Sequence, residues 1–241
     1  TYGLGAVAAP WLLSQGLLSG GQLFAFIAVL SLVVMLGAWN IDDRVPNTAI
    51  VQDGNAELLR IYPLLVTAFL MLFLEAGLTY WLPSLLSASA SGEGIAAAYM
   101  SLFFVWFVIV RLSAAALATW VTTLGFALCG LVGISLSLGA VLVGAVALAD
   151  TSFTGAFMGL IFPNAYAWML KTGGGGTSTG ARVLLSAIAG ATVGPWVLGW
   201  ILPIGGEASV LWVLGLVSTL AATVMVITEL NARKYRSMRS Q

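Results

Sequence analysis

The chain has no histidine, one cysteine, and charge on only 7% of its 241 residues. Without histidine there is no imidazole to act as a base or to ligate a metal. Cys129 is alone, so it closes no internal disulfide and builds no Cys/His metal cluster. Nine basic residues balance nine acidic ones. No basic tract stands out, which excludes a nucleic-acid partner. No Gly-x-x-x-x-Gly-Lys-Ser/Thr pattern occurs, so this chain hydrolyses no ATP through a P-loop. A membrane-embedded enzyme needs paired acids, a histidine cluster, or a nucleophile with its base. None is visible, so the expectation is no enzyme and no cofactor beyond a coupling proton or sodium ion. Residue 1 is Thr rather than Met, and no signal peptide precedes the first apolar run.

What is present is apolar. Hydrophobic residues make up 60% of the chain, and the mean hydropathy is +1.04. A soluble domain carries charge on about 25% of its residues. A chain this apolar has the lipid bilayer as its solvent, where every backbone polar group must be paired internally, in helices or a closed barrel. Barrel strands alternate polar and apolar residues. Here the apolar runs are unbroken, which predicts an all-α integral membrane bundle. A crossing helix takes roughly 20 apolar residues. Eight spans are predicted: 1–17, 22–39, 61–86, 96–117, 120–148, 153–171, 180–203 and 207–229.

Charge placement tests that count, because Lys and Arg collect on the cytoplasmic side. With residue 1 placed inside, the inner connections fall at 40–60, near 118, at 172–179 and at the C-terminus. Arg44, Arg60, Arg111, Lys171, Arg182, Arg233, Lys234, Arg236 and Arg239 all lie at or near them. The outer connections carry or adjoin Glu93, Asp150 and Glu207 instead. Splitting 120–148 in two would destroy this pattern. The expected location is a plasma or bacterial inner membrane, with the C-terminus in the cytoplasm.

A polar segment, 40–60, contains Pro, Gly and Asn and reads as a linker between two bundles. The run 173–176 is all glycine and reads as a flexible link. Residues 5–13 (GAVAAPWLL) resemble 190–198 (GATVGPWVL), and each copy precedes one more apolar span and a polar segment. This divides the chain into the last two helices of an N-terminal six-helix bundle (1–39), a cytoplasmic loop (40–60), a C-terminal six-helix bundle (61–229) and a basic tail (230–241). On that reading the chain is truncated at its N-terminus. Four further helices of the same protein would be its missing partner.

Three local features resemble the major facilitator superfamily. The run ending in Ala9-Pro10 is similar to the Gly-Pro motif of that family's helix five, with Ala in place of Gly. Val110-Arg111-Leu112 is similar to the Gly-Arg-Leu after helix eight, again without the Gly. Residues 159–164 (GLIFPN) and 190–196 are similar to helices ten and eleven of the fucose–galactose–proton symporter branch. The resemblance implies that these spans correspond to helices five to twelve. It also implies two bundles that rock about a midplane site.

Glu75 stands out among the candidate residues. It lies about fourteen residues into its span, roughly 20 Å deep at 1.5 Å per residue. A carboxylate there costs about 2.5–3.5 kcal/mol and usually faces a cavity or a partner on an ion or substrate path. It either binds substrate hydroxyls or a coupling cation, or it holds a neighbouring helix. Thr79 lies one turn on, on the same face. Trp81 reads as an interface anchor. Pro163 kinks the sixth span at mid-depth. The amide of Asn164 either binds a polar ligand or joins two helices. Trp168, one turn below, either stacks on a sugar ring or sits near the interface. Tyr99, Phe103 and Trp106 share one helix face, which reads mainly as packing and in the minority as an aromatic wall. Arg111 either snorkels as an anchor or, as the resemblance implies, pairs an acid in gating. Gly190, Gly194 and Pro195 allow close helix approach and bending.

The expected function is secondary active transport of a small polar solute, such as a sugar, coupled to an ion gradient. A non-transporting scaffold or a channel is the alternative. No charge ring or filter loop favours a channel.

Overall fold

A computed structural model describes residues 54–89, 93–174 and 176–239, together with Val29. The spans predicted at 1–17 and 22–39, the first repeat copy and most of the 40–60 linker lie outside the described residues. Among the described residues five long helices form: α1 (Gly54–Ser89), α2 (Glu93–Ala116), α3 (Thr123–Leu142), α4 (Thr154–Gly173) and α5 (Thr177–Arg239). A short 3-10 helix, Leu148–Phe153, precedes α4.

Several boundaries differ from expectation, each for a local reason. Helix α1 starts at Gly54, inside the segment read as linker. Helix α3 stops at Leu142, well short of 148, because the chain turns at Gly144, whose φ of +71° suits glycine. Its start is fixed by Thr122, whose hydroxyl accepts the N–H of Gly125 at 3.1 Å. The spans predicted at 180–203 and 207–229, by contrast, are found as the two limbs of α5, which meet at a break at Gly206, where φ is 70° and ψ is −172°. The first two residues of the glycine run after α4 are held. Gly174 caps α4 at φ 98° and donates to the Leu170 carbonyl, while a side chain at Gly173 would meet Thr179 at 2.7 Å and Leu64 at 3.1 Å.

Four of the five helices are long and apolar enough to cross a membrane, and α4 is not among them. The reason is that α4 is enclosed by its neighbours. Its buried residues include Thr154, Gly155, Gly159, Trp168 and Thr172, which meet protein rather than lipid. Apolar composition is required only of a surface that faces lipid. Its 20 residues still reach about 30 Å at 1.5 Å per residue, the thickness of the hydrocarbon core.

Two pairs of helices lie unusually close, and both run parallel. On the first pair, Ser186 donates to the Leu65 carbonyl at 2.8 Å. A Cβ at Gly190 would strike the Phe69 carbonyl, one at Gly194 would meet the Phe73 carbonyl at 2.6 Å, and one at Gly77 would meet Leu198 at 2.7 Å. Both helices advance by four residues at each step, so the first limb of α5 runs alongside α1 in the same direction. On the second pair, Gly155 lies against the Phe103 carbonyl, and a Cβ at Gly159 would meet the Phe107 carbonyl at 2.5 Å. Helices α2 and α4 are therefore also parallel. Small residues let backbones approach in this way where lipid supplies no hydrophobic drive between helices. One buried cluster, from Leu64 on α1 through Phe103, Leu131 and Trp168 to Met225 on α5, joins all five helices.

Candidate functional site

The first pair fixes the rotation of α1, and that rotation decides where Glu75 points. Residues 69, 73 and 77 meet α5. Glu75 falls on a different side, in line with Ala68 and Leu82, seven residues away in each direction. Ala68 and Leu82 are both 0% exposed, yet Glu75 between them is only half-buried. The face of α1 that is closed above and below is therefore incompletely covered at Glu75, which leaves a partial opening. Its neighbours Leu72, Ala76 and Thr79 are half-buried too. This opening lies at the middle of the apolar stretch Ile61–Ala88. Among the described residues, no donor hydrogen-bonds the Glu75 carboxyl.

Burial dominates the surroundings of the Glu75 carboxyl, and the Arg111 guanidinium is the lesser, opposing influence on it. Arg111 is half-buried on α2 and lies over the Phe107 ring, 5.3 Å from its centre. Residues 103 and 107 face 155 and 159 of α4. Continuing that register by one turn sets Arg111 opposite Pro163. Pro163 has no N–H, so the Gly159 carbonyl lacks its usual helical partner. An acid, a guanidinium and an unpaired helix carbonyl thus belong to the inner sides of α1, α2 and α4.

The remaining predicted residues divide between this site and the scaffold. The Thr79 hydroxyl donates to the Glu75 carbonyl at 2.8 Å and keeps its lone pairs for another donor. Asn164 donates its amide to the Leu160 carbonyl of its own helix at 2.7 Å. Trp168 is only 4% exposed, and its indole N–H bonds Oε2 of Glu229 at 2.9 Å. The structure thus places it away from Glu75, fastening α4 to the end of α5. Trp106 packs edge-on against Phe153, the ring centres 5.1 Å apart. Gly190 and Gly194 seat α1 and touch no site group. The Pro195 carbonyl accepts the Trp81 indole N–H at 2.9 Å, so Trp81 joins two helices where an interface anchor was expected.

Sequence reasoning missed Glu229. The signal was available: an acid near the end of an apolar run, with Arg233 one turn on. Arg233 Nε lies 2.8 Å from Glu229 Oε1. Among the described residues no group of three His, Cys, Asp or Glu side chains could hold a metal ion.

No family model matches the chain, and no curated protein matches it. A solved structure does: the major facilitator superfamily transporter FucP, in an outward conformation, at 18% identity and a TM-score of 0.64. The match covers 88% of this chain and 53% of FucP, so the chain spans about half the length of that transporter. At this identity the likeness speaks for the backbone: the chain is a multi-pass membrane protein with a major-facilitator-like fold.

Proposed function

We propose that this chain forms part of a secondary active transporter. It moves a small polar solute across the bilayer by alternating access. The carrying observation is Glu75, half-buried at mid-depth where the same face of α1 is sealed above and below, with Arg111 as the charge acting on it. In lipid an ionisable group persists where it serves an ion or substrate path. A carboxylate so placed accepts hydrogen bonds from the hydroxyls of a sugar-like solute, or takes a proton or sodium ion whose gradient drives uptake. Arg111 offsets its charge when the solute is absent. Thr79, beside it, offers hydroxyl lone pairs. The Asn164 oxygen and the Gly159 carbonyl add acceptors from α4. The fold supports this reading, since FucP is a transporter of the same architecture.

In this mechanism the segment 61–229 moves as one bundle against the helices on the other side of the 40–60 linker. The site between them opens first to one face and then to the other. Gly190 and Gly194 let α5 and α1 move together without intervening side chains.

The test is uptake by proteoliposomes carrying the full-length protein, with a proton or sodium gradient imposed in turn. Gradient-driven accumulation of a polar solute is expected, and Glu75→Gln should abolish accumulation while leaving the protein folded. Absence of gradient-driven uptake for every solute class would sink the transporter reading. Unchanged uptake and unchanged ion dependence in Glu75→Gln would remove Glu75 from the mechanism alone.

A further inference from the structure

Arg111 stands five residues before the end of α2 at Ala116, about 8 Å from that end at 1.5 Å per residue. An arginine this close to a helix end ordinarily stretches its charged head outward to water. Arg111 does the opposite. Its guanidinium lies over the Phe107 ring, 5.3 Å from the centre, one turn farther from that end. Helical side chains lean toward the N-terminus of their own helix, and in α2 that direction leads into the bundle. Among the described residues the ring is the group that holds the guanidinium there, within the distance at which a cation is attracted to an aromatic face.

The ring is itself fixed. Phe107 is 2% exposed. Phe104 meets it edge-on with centres 6.3 Å apart, and Phe103 meets Phe104 in turn at 5.2 Å. Its backbone is pressed onto α4, where a Cβ at Gly159 would come within 2.5 Å of the Phe107 carbonyl. Depth then decides what the ring does. Phe107 stands fourteen residues after the start of α2 at Glu93, and Glu75 fourteen residues before the end of α1 at Ser89. Residues 90–92 are all that separates these two helices in sequence, so both side chains lie about 21 Å from the same connection. Helices α1 and α2 pack together, and the guanidinium is near enough to act on the Glu75 carboxyl.

We infer that Phe107 is a positioning residue: its ring holds the Arg111 guanidinium turned into the bundle, at the depth of Glu75, with the N–H donors left open. A carboxylate in the place of the ring would take up some of the five guanidinium donors and cancel the charge. The aromatic face attracts the cation and does neither. The guanidinium stays available to offset an ionised Glu75 in the empty site, or to meet an oxygen of a solute. What this placement does for transport rests on the reading of Glu75 and Arg111 given above, whereas the placement itself does not.

The experiment uses purified full-length protein in neutral detergent with no solute added. The probe is phenylglyoxal, a reagent for guanidinium groups, and labelling of the Arg111 peptide is followed by mass spectrometry. Phe107→Leu removes the ring and frees the guanidinium to reach the helix end. It should speed labelling of Arg111 roughly tenfold and leave labelling of Arg233 unchanged. Phenylalanine analogues with one, two and three ring fluorines, placed at position 107, keep the shape of the side chain and weaken its attraction for a cation stepwise. They should speed labelling in the same order, and they carry the test alone if Phe107→Leu does not fold. Unchanged labelling of Arg111 would overturn the assignment. So would faster labelling in Phe107→Leu with no trend across the fluorinated rings, or equal acceleration at Arg111 and Arg233. None of these results bears on gradient-driven uptake, whose absence would remove the transport role and leave the placement standing.

Discussion

Hydroxyls and amides inside a helix have an acceptor close by, the carbonyl one turn back, and here they use it. Thr79 and Asn164 both donate to their own helices. Thr67 does the same to Pro63 at 2.8 Å, on a helix that lacks the Pro63 amide. Polar residue types in an apolar run therefore mark positions where a ligand could be bound, without distinguishing them from self-satisfied ones. The indoles behave differently because they reach further. Trp81 leans back toward the start of its own helix, as helical side chains do, and finds the Pro195 carbonyl on a helix distant in sequence. Its ring also covers Gly199, 3.2 Å from where a Cβ would stand. Trp81→Phe keeps the ring and loses the bond, and should cost about 1 kcal/mol in reversible unfolding. Trp168 is bonded to a carboxylate, and such bonds are worth about 1.5–3 kcal/mol. A double-mutant cycle of Trp168→Phe and Glu229→Gln should return a coupling in that range. Additive effects of the two changes would show that the bond contributes nothing. Neither partnership was legible beforehand, because each joins residues far apart along the chain, and only the packing of helices decides which indole meets which acceptor.

For whole helices, what was legible followed from hydropathy, and what was missed followed from glycine. The apolar runs located α1, α2 and both limbs of α5, although α1 starts at Gly54 rather than 61 and α5 runs on to Arg239 rather than ending at 229. They overran α3, because Val143, Ala145 and Val146 continue the apolar pattern past a glycine that turns the backbone. They also gave α4 the same standing as its neighbours, although its surface is mostly protein-facing. Composition identified Gly190 and Gly194 as packing residues without saying against what. The structure answers with backbone carbonyls of α1, and this separates glycines that a methyl group would displace from those it would not. Gly190→Ala and Gly194→Ala should each destabilise the bundle by about 1–3 kcal/mol, since a carbonyl held in a helix cannot move aside. Gly139 and Gly215 have nothing within 4 Å of an added Cβ. Gly139→Ala and Gly215→Ala should be neutral, or stabilising by up to about 1 kcal/mol through helix propensity. Thermal unfolding of the four variants in one detergent tests the contrast. Equal losses at all four positions would mean that close approach is not what these glycines provide.

The architecture of the whole molecule follows from the two parallel pairs. Helices α1 and the first limb of α5 advance together, so an odd number of crossings must separate them. Helices α2, α3 and α4 supply three. The α2–α4 pair requires an even count of reversals in the same way, and α3 with its return through the 3-10 helix provides it. The registers thus show independently that the run 120–148 crosses once, and that α4 crosses despite its weaker hydropathy. The same alternation gathers Lys171, Arg182, Arg233 and Lys234 at one end of the bundle and leaves Asp150 and Glu207 at the other. The positive-inside pattern read from the sequence alone therefore reappears as a property of the assembled helices. The consequence is testable in intact cells. After Cys129, which is exposed, is replaced by Ala, a single cysteine placed at Ser87 and one placed at Gly176 are separated by three crossings. A membrane-impermeant thiol reagent added from outside should label the first and spare the second. Labelling both from the same side would require an even number of crossings between them. It would break both parallel pairs, and with them the placement of Glu75 on which the transport proposal stands.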